Sequence, residues 1–459
     1  MSDEILASGF QATPIGTLPS DWRCIQLRYI VPESRKVTYG IVQPGEHDSQ
    51  GVLLIRGQDY IKGWAEPDAF FRVARPLHNV FKRSLTVAGD LLICIVGATT
   101  GATNVVPSWI SEANITQTTA RVACDSRKAD SHFVLFALAS ELGQMQVRKY
   151  VKGSAQPGLN LADVERFYVP AAPLSEQRKI ARILTTVDNL IEKTEALIAK
   201  YQAIKQGMMH DLFSRGVDEH GHLRPPYEEA PELYKQSELG WIPKEWEVGG
   251  LRVKGRSDRA FLRTGPFGSS LKAEHWVAEG VPVVTIGSLG EGAFTHSELL
   301  YISANYARVL GQYALEDGDI VFSRVADVGR SVVITNSERG WIMSSNLMRI
   351  SLDTTVAEPY FVYLAIVYSK SIKEQIRQSV NAGGREVANS NVMGGLMFAW
   401  PQIEEQRRIA KLAQSHDAES NIERDHLEKL RLLKTGLMQD LLTGKVRVKV
   451  GEAEEVGHV

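Results

Sequence analysis

Apolar residues between positions 175 and about 213 fall into two seven-residue series, Ile180, Val187, Tyr201 and Met208 in one and Ile183, Leu190, Leu197 and Ile204 in the other. Thr194 is the only polar interruption and no proline intervenes, so the pattern predicts one long helix with a seam for a second helix. At 1.5 Å per residue it would span roughly 55 to 60 Å. A second stretch, from 404 to about 442, keeps Ile409, Leu412, Leu430, Leu433 and Leu437 at the matching places but puts His416, Glu419, Glu423 and His426 in its middle. That polar centre predicts either a shifted packing register or a solvated or partner-facing surface. Ahead of each helix the periodicity shortens. Apolar runs such as 52–55 and 281–286, Gly-Asp turns before apolar strands, and helical stretches at 131–149 and 358–378 predict an α+β domain in each place.

The two halves repeat each other. Leu18-Pro19-Ser20-Asp21-Trp22 returns as Ile242-Pro243-Lys244-Glu245-Trp246, the tryptophans 224 residues apart. Gly89-Asp90-Leu91 returns as Gly318-Asp319-Ile320, Glu176-Gln177-Arg178 as Glu405-Gln406-Arg407, and Gly207-Met208-Met209 as Gly436-Leu437-Met438, each 229 residues on. A period this long is a duplicated domain with its following helix rather than a solenoid unit. The expected order is a first domain at 1–172, a helix at 173–215, a linker at 216–240, a second domain at 241–401, a second helix at 402–444 and a tail at 445–459. The Gly/Pro/charge-rich connector after the first helix would return the chain, favouring two antiparallel helices that hold two domains apart with pseudo-twofold symmetry.

Composition narrows the function. The chain is 44% hydrophobic and 23% charged over 459 residues, which fits two or three soluble domains. Cys24, Cys94 and Cys124 lie far apart with no CxxC pair, so neither a disulfide framework nor a zinc site is expected, and a reducing cytoplasm fits. The N-terminus is acidic where a signal peptide is basic, and the uncharged run from 91 to 110 is broken by Gly, Thr, Asn and Pro, so no membrane association is expected. A formal net charge of -2 offers no overall polycation, which leaves nucleic-acid binding to local patches or partners.

Catalytic motifs fail on their chemistry. Arg224-Pro225-Pro226-Tyr227 has the outline of an amino-methyltransferase motif, but its first position must accept a hydrogen bond and arginine has no acceptor. No GxxxxGK[ST] loop is present for ATP, and His220 and His222 lack the further ligands of a metal site. No catalytic and no metal-binding residue is assigned.

The paired Pro-x-x-Trp entrances, the paired Glu-Gln-x-x-Ile helix starts and the connector from Ala230-Pro231-Glu232-Leu233-Tyr234-Lys235 to Leu239-Gly240-Trp241-Ile242-Pro243 resemble the specificity subunits of type I restriction-modification enzymes, over nearly the whole chain. The resemblance implies two target-recognition domains alternating with two spacer helices, and double-stranded DNA as ligand. Each domain would read half of an asymmetric, split target. It also implies two modification subunits that bind S-adenosylmethionine, and restriction subunits using ATP and magnesium, with no cofactor in this chain. The family's Ser-Arg-x-Gly-x-x-Gly-Arg loop is matched by Ser323-Arg324-Val325-Ala326-Asp327-Val328-Gly329-Arg330, with alanine for one glycine. The first domain has Cys94-Ile95-Val96-Gly97-Ala98-Thr99-Thr100-Gly101, without either arginine. Candidate DNA contacts are Lys149, Lys152, Arg324, Arg330 and Arg385, able to meet phosphates or guanine edges.

Overall fold

The computed structural model describes residues 9–153, 156–267, 270–290, 292–325, 329–382 and 389–451. The chain divides into two compact units, Met1–Glu195 with Asp425–Val459, and Ala196–Arg424. Each unit holds one globular domain and one stretch of each long helix.

In the first unit a hairpin, Phe10–Thr13 with Gly16–Pro19, leads to buried Trp22 and to the strand Arg23–Gln26, which pairs antiparallel with Tyr168–Ala171. The central sheet is antiparallel, in the order Thr38–Tyr39, Thr119–Val122, Leu91–Cys94, Thr103–Val105. A smaller sheet joins Phe71–Val73, Val52–Ile55 and Asn114–Ile115, the last pair parallel. Successive strand residues point to opposite faces. Leu91 and Ile93 accordingly pack with Val134, Ala137 and Leu138, while Leu92 packs with Ile55, Tyr60 and Ile115. Burial on both faces explains why this strand reads as an unbroken apolar run.

The second unit repeats the plan. Its central sheet runs Leu262–Thr264, Leu347–Ile350, Ile320–Ser323, Ser331–Val333. Ile320 and Phe322 pack with Phe361 and Val362, and Val321 packs with Val284 and Met343.

Each helical stretch expected as continuous is two helices. Ser131–Ala139 and Glu141–Tyr150 break at Ser140, whose Oγ donates to Ala137 O (2.7 Å); Pro359–Tyr368 and Lys370–Ala382 break at Ser369. The first of each pair is apolar nearly all round and sits in the core, whereas the second has one polar side. A single straight rod would place both on the same line, and the serine lets them diverge.

The long helices are Leu174–Ser214 and Ile403–Leu441. Ile180 and Val187 are buried as expected, and Tyr201 and Met208 are half-buried in the same series, but the second series is one residue off. The inward positions are Leu184, Ile191, Ile198, Lys205 and Leu212, completing alternate steps of three and four; Leu190 and Ile204, each 43% exposed, face outward, and Ile183 and Leu197 sit at the edge of the seam. Both choices offered apolar residues in three successive heptads. At the fourth the outward residue is Ile204 and the inward one Lys205, so hydrophobicity alone selected the wrong series.

The second helix keeps the same stepping through Gln406, Ile409, Ala413, His416, Ser420, Glu423, Leu427, Leu430, Lys434, Leu437 and Leu441. Its polar centre therefore causes no slip. Glu419 and His426 belong to the outward series, as does exposed Leu433, while Leu412 is half-buried. Within the first unit Lys434 Nζ pairs with Asp188 Oδ1 (2.6 Å) and Arg431 with Glu195 (2.7 Å), which sets the two segments antiparallel. Within the second, Lys205 Nζ pairs with Asp417 Oδ1 (2.5 Å). Both lysine-aspartate pairs recur at the 229-residue offset, a matched polar lock in each unit.

Candidate nucleic-acid interface

The same backbone frame stands at the strand ends of both domains. In the second, Arg324 N donates to Asn346 O (3.2 Å), Gly265 N donates to Leu347 O (3.0 Å), and Ser323 N donates to Arg330 O (2.8 Å). The hairpin loop carrying the two arginines thus leans on the turn at 344–347, and the segment after Thr264 leans on the other side of that turn. Arg324 is half-buried, with a buried Nε that has no hydrogen-bond partner among the described residues, and Arg330 is exposed. Arg385 lies outside the described residues.

In the first domain Ile95 takes the place of Arg324. It is buried, and its N–H donates to Thr118 O (2.8 Å). Gly40 N donates to Thr116 O (3.2 Å) and Gln117 N to Ile41 O (2.9 Å), so a flanking segment again lies against the turn, bonded to its start rather than, as at Gly265, to its end. The cations come from elsewhere. Lys152 and Gly158 exchange backbone hydrogen bonds (3.0 and 2.9 Å), Gly97 N donates to Pro157 O (2.9 Å), and Thr100 Oγ1 donates to the same oxygen (3.0 Å). These bonds lace the segment after helix Glu141–Tyr150 onto the hairpin loop, bringing exposed Lys152 beside Gly97 and Thr100; exposed Lys149 projects from the last helical turn over the ring of Tyr150 (5.5 Å). Arg324 and Arg330 are thus brought together, as are Lys149 and Lys152, by two different loop arrangements on one frame.

Other arginines are structural. Arg121 donates to Leu85 O (2.7 Å) and Lys36 O (2.8 Å), and its counterpart Arg349 donates to Ala314 O (2.9 Å). Both are fully buried beneath their sheets, and burial lowers the Arg349 pKa to about 10. The aspartates of the Gly-Asp turns complete these networks: Asp90 is paired with Arg35 (2.6 Å) and Asp319 with Arg259 (3.2 Å).

The arginine of the Arg-Pro-Pro-Tyr segment has a definite task. Arg224 Nη1 donates to Glu405 Oε1 (2.5 Å) and Nη2 to Glu245 Oε2 (2.9 Å), while Glu405 also accepts from Trp246 Nε1 (3.2 Å) and Val217 N (2.9 Å). This clasp ties the connector to the domain entrance and to the start of the second helix. The first unit has its counterpart in Arg447, which donates to Glu176 Oε1 (2.6 Å) and Asp21 Oδ2 (2.9 Å) and lies over the Trp22 ring (5.5 Å). Sequence reading missed it, although each acid sits at a repeated position. His220 and His222 form a local turn, both backbone N–H groups donating to Asp218 Oδ1 (2.9 and 2.8 Å). Among the described residues no group of three or more His, Cys, Asp or Glu could hold a metal ion, and no helix is long and apolar enough to cross a membrane.

The chain matches the type I restriction modification DNA specificity domain over residues 78–202 and again over 267–432. It is 25% identical over 447 residues to a putative type I restriction enzyme MjaX specificity subunit of Methanocaldococcus jannaschii, covering 96% of this chain and 97% of that one. The type I restriction enzyme MjaVIII specificity subunit of the same organism is 26% identical over 324 residues, 70% of this chain and 71% of the other. A crystal structure of the S subunit of a type I restriction-modification system from M. genitalium shares the fold with a TM-score of 0.59 at 16% identity, covering 94% of this chain and 98% of that one.

Proposed function

Because the chain belongs to the type I restriction modification DNA specificity family, it is a non-catalytic subunit devoted to DNA target recognition, and we propose how its parts divide that task. Each domain reads one half of a split target with the loops gathered at its strand ends. The observation that carries this reading is the pairing of one backbone frame with two unlike sets of side chains: Arg324 and Arg330 in one domain, Lys149 and Lys152 beside a threonine-rich loop in the other. Unlike readers on like frames recognise unlike half-sites, so the target is asymmetric. The long helices fix the unspecified spacer, and domains reading one face of a duplex want centres about one helical turn, roughly 34 to 36 Å, apart.

The partners are two modification subunits and restriction subunits, with S-adenosylmethionine, ATP and magnesium bound there rather than in this chain. Three unpaired cysteines fit work in the cytoplasm. With a net charge of -2, the isolated chain binds its site weakly and the modification subunits complete the clamp. The test is co-expression with the cognate modification subunit in a host lacking adenine methylation, followed by mapping of methylated adenines across the genome. One split, asymmetric motif that vanishes when this chain is omitted is the expected result. An unmethylated genome despite a stable complex would overturn it.

A further inference from the structure

Beside the cationic loops, each domain presents an exposed apolar side chain just past a close backbone crossing. A Cβ on Gly265 would stand 1.8 Å from Ser344 O, and one on Gly40 would stand 1.6 Å from Ile115 O. At both places the chain crosses directly over the turn, and only glycine permits that approach. The next residue, Pro266 or Ile41, is buried. The one after it points outward: Phe267 is 84% exposed and Val42 is 50% exposed.

Ser270 N donates to Phe267 O (2.8 Å), and Tyr306 OH donates to Ser270 O (2.7 Å) while its ring stacks on His275 at 4.2 Å. An exposed phenylalanine contributes almost nothing to the fold by burial. Scattered apolar residues on a surface are ordinary, but this one follows a glycine that crosses a turn, and the same turn anchors the backbone of Arg324.

We infer that Phe267 is an apolar wedge that enters the second half-site and partly unstacks one base step, while Val42, too small to separate bases, does not do so in the first. The inference rests on the DNA-reading role of these loops. A flat, rigid ring with no hydrogen-bonding group has no use for a phosphate, and the feature of a duplex that accepts it is the face of a base. The neighbouring arginines would hold the backbone while the ring is inserted.

The experiment uses the chain assembled with its modification subunits and duplexes carrying the mapped target, with 2-aminopurine placed in turn at each adenine other than the methylated ones and at adenines introduced in the spacer-flanking steps. Wild-type complex should raise the fluorescence at one step, in one half-site only. Phe267→Ala should abolish that rise and weaken binding roughly tenfold, Phe267→Trp should keep it, and Val42→Ala should leave it unchanged. Because the side chain is exposed, the variants should melt at the wild-type temperature, which separates lost contact from lost fold. No fluorescence change at any step, or a rise that survives Phe267→Ala, overturns the wedge alone if the wild type still methylates its motif. A wild-type complex that methylates no motif removes the underlying reading with it.

Discussion

The two arginine clasps do the same job with different security. In the second unit Arg224 arrives from the connector, its side chain only 12% exposed, and Glu405 beneath it also receives the Trp246 indole and the Val217 amide. In the first unit Arg447 arrives from the tail, 41% exposed, and the buried Trp22 Nε1 has no partner among the described residues. Both segments reach the clasp through a left-handed glycine beyond the helix end, Gly216 with φ +64° and Gly444 with φ +68°, where a Cβ would strike the clasp's own tryptophan in one case and Pro19 in the other. The Glu405 clasp is buried and shared among several donors, while Arg447 stays near solvent, where ion pairs contribute little.

The largest expected effect breaks the stronger clasp. Glu405→Ala would leave a buried indole N–H and a backbone N–H without their acceptor and would strip the Arg224 guanidinium of one of its two carboxylates, costing about 3 to 5 kcal/mol. Denaturant unfolding should show the loss, and Glu176→Ala should cost clearly less because its arginine can turn to water. Equal losses would refute the difference in security. Next are the glycines of the frame. Gly40→Ala and Gly265→Ala each force a methyl group into a backbone carbonyl, a strain of about 1 to 3 kcal/mol, and each should disturb recognition of one half-site while leaving the other. A methylation map in which a single variant relaxes both halves would deny that the frames act separately. Smaller again is the contrast between cations. Arg324→Ala should relax sequence preference in its own half-site by about 1 to 3 kcal/mol if it meets a guanine edge, whereas Lys152→Ala should weaken all duplexes alike and reduce the salt slope by about one.

The repeat was legible because it needs only residue identity: entrances, Gly-Asp turns and helix starts recur at fixed offsets whether or not their contacts are known. The helices were legible in length and in one of their two seams. The other seam was misread because Ile183 with Leu184, Leu190 with Ile191, and Leu197 with Ile198 offer two apolar choices per heptad, and the deciding position is a lysine. Lys205 is inward only because Asp417 waits for it, and a pair distant in sequence leaves no mark on a single helix. The offset did carry that information, since Lys434 and Asp188 repeat it. Arg224 was denied a catalytic part because it has no acceptor to offer, and its clasp was hidden, because Glu405 lies 181 residues away. Phe267 was invisible for the opposite reason: sequence marks an apolar residue as core, and only the crossing at Gly265 shows that it has been turned outward.

The smallest effect tests the weaker clasp by pH. Hydrogen bonding from Arg447 is the main influence on Asp21 and holds its carboxyl below its ordinary value. A carboxylate whose folded pKa is lowered contributes stability that is complete above the unfolded value, near 4, and that disappears as pH falls through the lower folded value. Arg447→Ala should therefore lower the stability slightly at pH 7, by no more than about 1 kcal/mol after allowing for solvent screening at so exposed a pair. Asp21→Asn should lower it in the same direction, and the gap between each variant and wild type should close as the pH is taken from about 5 toward about 3. A gap that persists undiminished at the acid end would mean that Arg447 closes the first unit through its packing on the Trp22 ring rather than through the charge of its partner.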